Sequence, residues 1–222
     1  MSHNHRTIVF DLDGTLVDTA PDLVHAINSV VTASGDPAVH EKYLRPIISS
    51  GGREMIRAAL AHQNRQTSEF ELDALNHRFL VEYSSRIAAL SKPYQFVFEE
   101  LWRLREDGWR TAVCTNKLVS LARALLDELT LTQFFHCIAG RDTFPTHKPD
   151  PRHLLATIAH AGGDPLSAVM IGDSETDVIA ARQAGIPVIG VTFGYTTVPI
   201  ENLGCDAVIR SFRELAGALK HI

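Results

Sequence analysis

A doubly wound α/β fold, a parallel sheet carrying an inserted all-helical domain, is predicted by three features of this 222-residue chain. Short apolar, β-branched runs recur along it, helical stretches separate the later runs, and one early interval breaks that alternation with helical spacing alone. Parallel strands covered on both faces read as continuous apolar runs because neither side meets water.

The first such run is 7–10. The others are 111–114, 137–139, 168–171 and 187–191, with a sixth candidate at 207–209. Helical spacing over 119–129, 151–161, 175–184 and 212–219 supplies the crossovers and a closing helix. From 21 to 89 the apolar residues recur as on one face of a helix, as in Leu23, Ile27 and Val30, then Leu72, Leu75, Phe79, Leu80 and Tyr83. The interval 18–90 therefore reads as a separate helical domain, and 1–17 with 91–222 as the core. Thr19, Pro21 and Asp22 form its entry signal: an N-cap, an early proline and an acidic first turn.

Composition narrows the function classes. With 45% hydrophobic and 7% aromatic residues the chain is neither a disordered tail nor a disulfide-stapled miniprotein. The net charge of −5 argues against nucleic acid or anionic lipid as the main partner. Cys114, Cys137 and Cys205 lack paired spacing, which fits a reducing cytosol, and no apolar run reaches the length of a membrane span. His3 and His5 read as part of a solvated end. Oligomeric state is left open between monomer and homodimer.

The chemistry sits at strand ends. The first strand runs into Asp11-Leu12-Asp13-Gly14-Thr15-Leu16, whose two carboxylates share one side of an extended segment and repel unless a cation or a shared proton intervenes. After the fourth run comes Gly172-Asp173-Ser174-Glu175-Thr176-Asp177. If those strands are neighbours, Asp11, Asp13 and Asp173 converge on a pocket of hard oxygen ligands suited to magnesium. Thr115 and Asn116 end the second run, where they can donate to phosphate oxygens. Lys148 precedes a helix opening at Pro151, a point charge suited to a phosphate. The chain has only 5 lysines, which adds weight to Lys117 and Lys148 lying in such places.

In this order the four motifs, Asp-x-Asp-Gly-Thr-Leu, Thr-Asn, Lys-Pro-Asp and Gly-Asp-Ser with Asp177 four residues on, resemble those of the haloacid dehalogenase superfamily of phosphohydrolases. The helical insert after the first motif looks like that superfamily's cap on its Rossmann-like core. The stretches 11–20, 114–117 and 148–151 look most like the phosphoglycolate phosphatase group. The resemblance implies that Asp11 is a nucleophile forming an aspartyl phosphate, and that Asp13 protonates the leaving oxygen and later deprotonates water. It implies that Thr115 and the backbone around Asn116 hold the phosphate and that Lys148 balances charge. It also implies that Mg2+ binds the carboxylates of Asp11 and Asp173 and the main-chain carbonyl of Asp13, with Asp177 holding a water or orienting Asp173.

The expected substrate is a small phosphate monoester, 2-phosphoglycolate first. The cap loop Ser49-Ser50-Gly51-Gly52-Arg53 is expected over the site, with Arg53 either pairing a substrate carboxylate or lying on the surface. One departure stands at the return to the core, where the group commonly has Pro-Tyr-Pro-Gly and this chain has Pro93-Tyr94-Gln95-Phe96; the change is expected at the hinge or the substrate end. Imine-forming phosphonate hydrolysis lacks a cap lysine in the loop. Sugar-phosphate mutase, pyrophosphatase and nucleotidase readings share the fold, and a phospho-accepting signalling domain shares the residue types but not the insert.

Overall fold

The computed structural model describes residues 6–32 and 36–222; His3 and His5 lie outside the described residues. Strand β1 (Thr7–Phe10) is the structural axis, with β4 (Arg110–Cys114) on one side and β6 (Ala168–Gly172) on the other. With β5 (Cys137–Ala139), β7 (Val188–Val191) and β8 (Ala207–Ile209) they form a six-stranded, all-parallel sheet in the order β5-β4-β1-β6-β7-β8. Each run predicted as a strand is one, to within a residue.

Two faces of the sheet explain why those runs are apolar throughout. Ile8, Phe10, Val113, Ile171 and Ile189 point to one core, which α5 (Val97–Glu106), α6 (Val119–Glu128) and α9 (Leu215–Ala218) cover. Val9, Ala112, Cys114, Met170 and Val188 point to the other, under α7 (Pro151–His160) and α8 (Glu175–Gln183). Alternation along each strand thus assigns successive residues to opposite cores. Each fully buried aliphatic or aromatic side chain contributes roughly 1.5–3 kcal/mol. Helix α5 was not delineated by the sequence reading, since it follows the return at Pro93 without a capping residue. The half-exposed Trp102 on α5 packs edge-on against Phe134 at the rim.

Between β1 and α5 the chain makes a helical insert with its own core. Helices α1 (Ala20–Val31), α2 (Glu41–Leu44), α3 (Gly52–His62) and α4 (Glu69–Ser85) bury Leu23, Ile27, Val30, Ile56, Leu72, Phe79 and Tyr83 against one another. Leu80, half-buried, packs against this core and also lines a cavity. A Cβ on Gly52 would lie 2.5 Å from the Phe79 ring, so glycine there lets α3 close onto α4.

Two short strands not anticipated from the sequence, β2 (Val17–Asp18) and β3 (Lys92–Pro93), pair antiparallel where the chain leaves and re-enters the sheet domain. Asp22 reinforces that crossing: its carboxylate accepts from Leu90 N, Ser91 N and Ser91 Oγ. The acidic first-turn residue is therefore a tie between the two crossings as well as a partner of the helix dipole. Thr19 does not cap α1 with its hydroxyl. The amides of Thr19 and Ala20 donate instead to the hydroxyl of Tyr195, at 2.7 and 3.0 Å.

The return carries Phe96 at φ +69°, in the left-handed region that favours glycine, so the turn is retained at a steric cost. Its ring packs against the sheet-domain core with Arg213 stacked 3.9 Å from its centroid, and it is not among the residues lining the cavity described below.

Candidate active site

Asp11, Thr115 and Asp173 each follow directly on the last residue of a neighbouring central strand, β1, β4 and β6. The chain order reverses at β1, since one crossover run leads to β4 and β5 and the next returns to β6. Open α/β sheets bind ligands at such a switch point, outside the carboxyl ends of the strands.

The carboxylates of Asp11, Asp173 and Asp177 each place an oxygen within 4.8 Å of the others, and all three residues are buried. Lys148, 2% exposed, sits between two of them, with Nζ 2.6 Å from Asp177 Oδ1 and 2.9 Å from Asp11 Oδ1. Burial pushes the Asp11 carboxyl up to about 6; Lys148 opposes that rise, while Asp177 and Asp13 add to it. Burial, then Asp11 and Asp177, raises Asp173 well above the ordinary carboxylate range. Burial disfavours the charge on Lys148, yet Asp11 and Asp177 hold it protonated beyond the normal lysine value. One cation faces three acidic groups, so the cluster is short of positive charge. Three buried carboxylates sharing a single cation are a hard-oxygen donor set that fits Mg2+.

Asp173 is anchored from two directions. Thr15 Oγ1 donates to its Oδ1 at 3.0 Å and Tyr195 N to its Oδ2 at 2.6 Å. Gly14, at φ +86°, makes this approach possible, because a Cβ there would lie 2.5 Å from Asp173 Oδ2. Asp177 accepts from Ser174 N and Oγ, so its position at the start of α8 is fixed while its other oxygen holds Lys148. Asn116 Nδ2 donates to the Lys148 carbonyl at 3.0 Å, joining the second and third motifs. The Thr115 hydroxyl accepts from Lys117 N.

The side chain of Asp13 stands apart from that cluster. Its Oδ1 accepts from Thr19 Oγ1 at 2.7 Å, and Lys117 Nζ lies 2.8 and 3.0 Å from its two oxygens. Lys117 is itself buried, and its ammonium lies 4.6 Å from the centroid of the Tyr83 ring on α4. Sequence reasoning placed Lys117 near the site but gave it no partner. It read Tyr83 only as part of an apolar helix face and missed Tyr195, since their roles here depend on contacts between distant parts of the chain.

Above these groups lies a cavity of about 500 Å³ between the sheet domain and the helical insert. Asp11, Asp13, Thr115, Asn116, Lys117 and Lys148 form its floor; residues 48–55, Asn76, Phe79 and Tyr83 form its roof. Gly51 and Gly52 are in that roof. Arg53 lines it as well, but its guanidinium is paired with Asp73 and, at 2.7 Å, with Glu69.

Behind β4, His153 is fully buried, with Nε2 3.1 Å from the Gly140 carbonyl and Nδ1 3.4 Å from Cys114 Sγ. Burial, helped by Lys148, pushes its imidazole down to about 4. Between that value and the unfolded one the denatured chain binds more protons, so stability falls as pH falls. We expect His153→Gln to lose about 2 kcal/mol less than the wild type between pH 7 and pH 5. Urea midpoints at the two pH values check this.

The family profile for haloacid dehalogenase-like hydrolases matches residues 8–191. A phosphoglycolate phosphatase of Agrobacterium fabrum is 46% identical over 95% of this chain and 91% of its own length. Another, of Mesorhizobium japonicum, is 47% identical over 94% and 92%. A crystal structure of a predicted phosphoglycolate phosphatase from Haemophilus somnus superposes with a TM-score of 0.90 at 28% identity, covering 99% of this chain and all of that one. With the profile spanning all four motifs and near-full-length relatives at this identity, the chain belongs to the haloacid dehalogenase-like hydrolase family.

Proposed function

We propose that this hydrolase releases inorganic phosphate from a small carboxylated phosphate monoester, 2-phosphoglycolate first, in the cytosol and with Mg2+ as cofactor. The observation that carries the reading is the Lys148-bridged carboxylate cluster at the strand ends, lying under a cavity of small-molecule size. The names borne by the near-full-length relatives support the choice of substrate.

A carboxylate oxygen of Asp11 attacks phosphorus as the P–O bond to the leaving group breaks, giving an aspartyl phosphate. Asp13 gives a proton to the departing oxygen, then takes one from the water that attacks the phosphoenzyme, a role worth roughly 10²- to 10⁴-fold in rate. Thr115 and the backbone at Asn116 hold phosphoryl oxygens, while Lys148 keeps its charge beside Asp11 as negative charge arrives. The carboxylates of Asp11 and Asp173, with the main-chain carbonyl of Asp13, would hold Mg2+, and Asp177 keeps Lys148 and the start of α8 in place. When bound, the metal offsets the repulsion between an anionic nucleophile and an anionic phosphate. The helical insert serves as the cap: its loop 49–53 and α4 shield the reacting groups from bulk water.

Phosphate release from a panel of small monoesters, with Mg2+ and with excess chelator, tests the reading. We expect activity with Mg2+ only, and 2-phosphoglycolate as the best substrate. Full activity under chelation overturns the metal role, and a best substrate without a carboxylate overturns the substrate class.

A further inference from the structure

We propose that Lys117, together with the hydroxyl of Tyr83, recognises the substrate's carboxylate, and that this carboxylate takes Lys117 over from Asp13 so that Asp13 is free to meet the leaving oxygen. The inference rests on the substrate class proposed above and names the residues that read it.

Position comes first. The proton donor stands on the leaving-group side, and in this structure both oxygens of Asp13 are engaged by Lys117 Nζ, at 2.8 and 3.0 Å. In 2-phosphoglycolate a single methylene separates the bridging oxygen from the carboxylate carbon, with bonds of about 1.5 Å each. Whatever meets that carboxylate therefore lies next to Asp13, and Lys117 is the cation there.

The other cations around the cavity are committed or peripheral. Lys148 is held by Asp11 and Asp177, Arg53 by Glu69 and Asp73, and Arg141 is exposed at the rim. Among the described residues Lys117 has one carboxylate partner, Asp13, and its side chain is 5% exposed. A buried cation whose counter-ion is withdrawn is strongly disfavoured, so Asp13 leaves readily only when another anion replaces it. A carboxylated leaving group brings that anion; an alcohol of the same length does not. Selection is thereby tied to release of the proton donor.

Tyr83 supplies the second donor. It is 1% exposed, lines the same cavity, and holds its ring beneath Lys117 with its hydroxyl turned to that ammonium. Toward a lysine the hydroxyl oxygen can only accept, so its O–H remains available to donate to a carboxylate oxygen bound by Lys117. Because Tyr83 belongs to α4 and Lys117 to the loop after β4, one carboxylate would join the insert to the sheet domain.

The test compares kcat/KM for 2-phosphoglycolate and for ethyl phosphate, of similar length without the carboxylate, in the Mg2+-loaded wild type and in Lys117→Met, Lys117→Arg and Tyr83→Phe. The wild type is expected to prefer 2-phosphoglycolate. Lys117→Met should lower its kcat/KM by about 100-fold more than that for ethyl phosphate, and Lys117→Arg should recover part of the preference. Tyr83→Phe, which deletes one oxygen and preserves the ring, should reduce the preference about fivefold, chiefly through KM. Equal losses on both substrates in Lys117→Met and an unchanged preference in Tyr83→Phe overturn the inference alone. A wild type without the preference overturns the substrate class and the inference with it.

Discussion

Asp11→Asn is expected to lower phosphate release by at least about 10³-fold while leaving the fold no less stable than the wild type. The amide keeps the shape of the side chain but carries no charge with which to attack phosphorus. Its effect on stability has the opposite sign. Asp11, Asp173 and Asp177 crowd one buried site with Lys148 as the only cation within ion-pair reach among the described residues. Removing one carboxylate eases that repulsion, and Lys148 retains Asp177 at 2.6 Å. The Asp11 carboxyl is raised to about 6, above its value in an unfolded chain. The folded state therefore binds more protons than the unfolded state, and this residue's contribution becomes less favourable as pH rises through the interval between those values. The metal-free variant should melt at or above the wild type at pH 8, and the gap should narrow at pH 5. Calorimetry at both pH values, alongside a phosphate-release assay, separates lost chemistry from lost structure.

The division of labour between local and long-range information explains what could be read from the sequence. Thr7–Phe10 is identifiable because both of its faces are buried, and Leu72, Leu75, Phe79 and Tyr83 because one helix face is. Asp11, Thr115 and Asp173 were legible as strand-end residues, and their convergence followed once β1 was placed between β4 and β6. Asp22 was read as a helix-dipole residue, a local role, but its carboxylate also binds Ser91, 69 residues away. Tyr195 gave no local signal, since its backbone amide supports Asp173 while its hydroxyl caps α1 at Thr19, 176 residues earlier. Two-residue strands such as Val17–Asp18 are too short to show any period. Phe96 takes a glycine-like conformation that its side chain gives no reason to expect, which only the packing around its ring sustains.

Lys148→Met should produce the largest combined loss, in both stability and rate. Methionine has a similar reach and fills the space, so any deficit comes from charge rather than a cavity. In the variant Asp11, Asp173 and Asp177 have no cation within ion-pair distance among the described residues, and breaking a buried pair by deleting one partner typically costs about 3–5 kcal/mol. For a chain of this size that corresponds to a melting temperature lower by roughly 10 °C at pH 8 without metal. The pH dependence identifies the cause. Uncompensated carboxylates have folded-state pKa values above their unfolded ones, so the folded variant takes up protons as pH falls and the deficit shrinks toward pH 5; a packing defect would not change. Added Mg2+ should recover more stability in the variant than in the wild type, because it supplies positive charge that Lys148 no longer provides. Phosphate release should stay at least about 10²- to 10³-fold below wild type even with saturating Mg2+, since a preorganised charge beside the nucleophile is not replaced by one held elsewhere. A variant whose melting deficit is independent of pH would show that Lys148 acts through packing, and the electrostatic account of the site would fall.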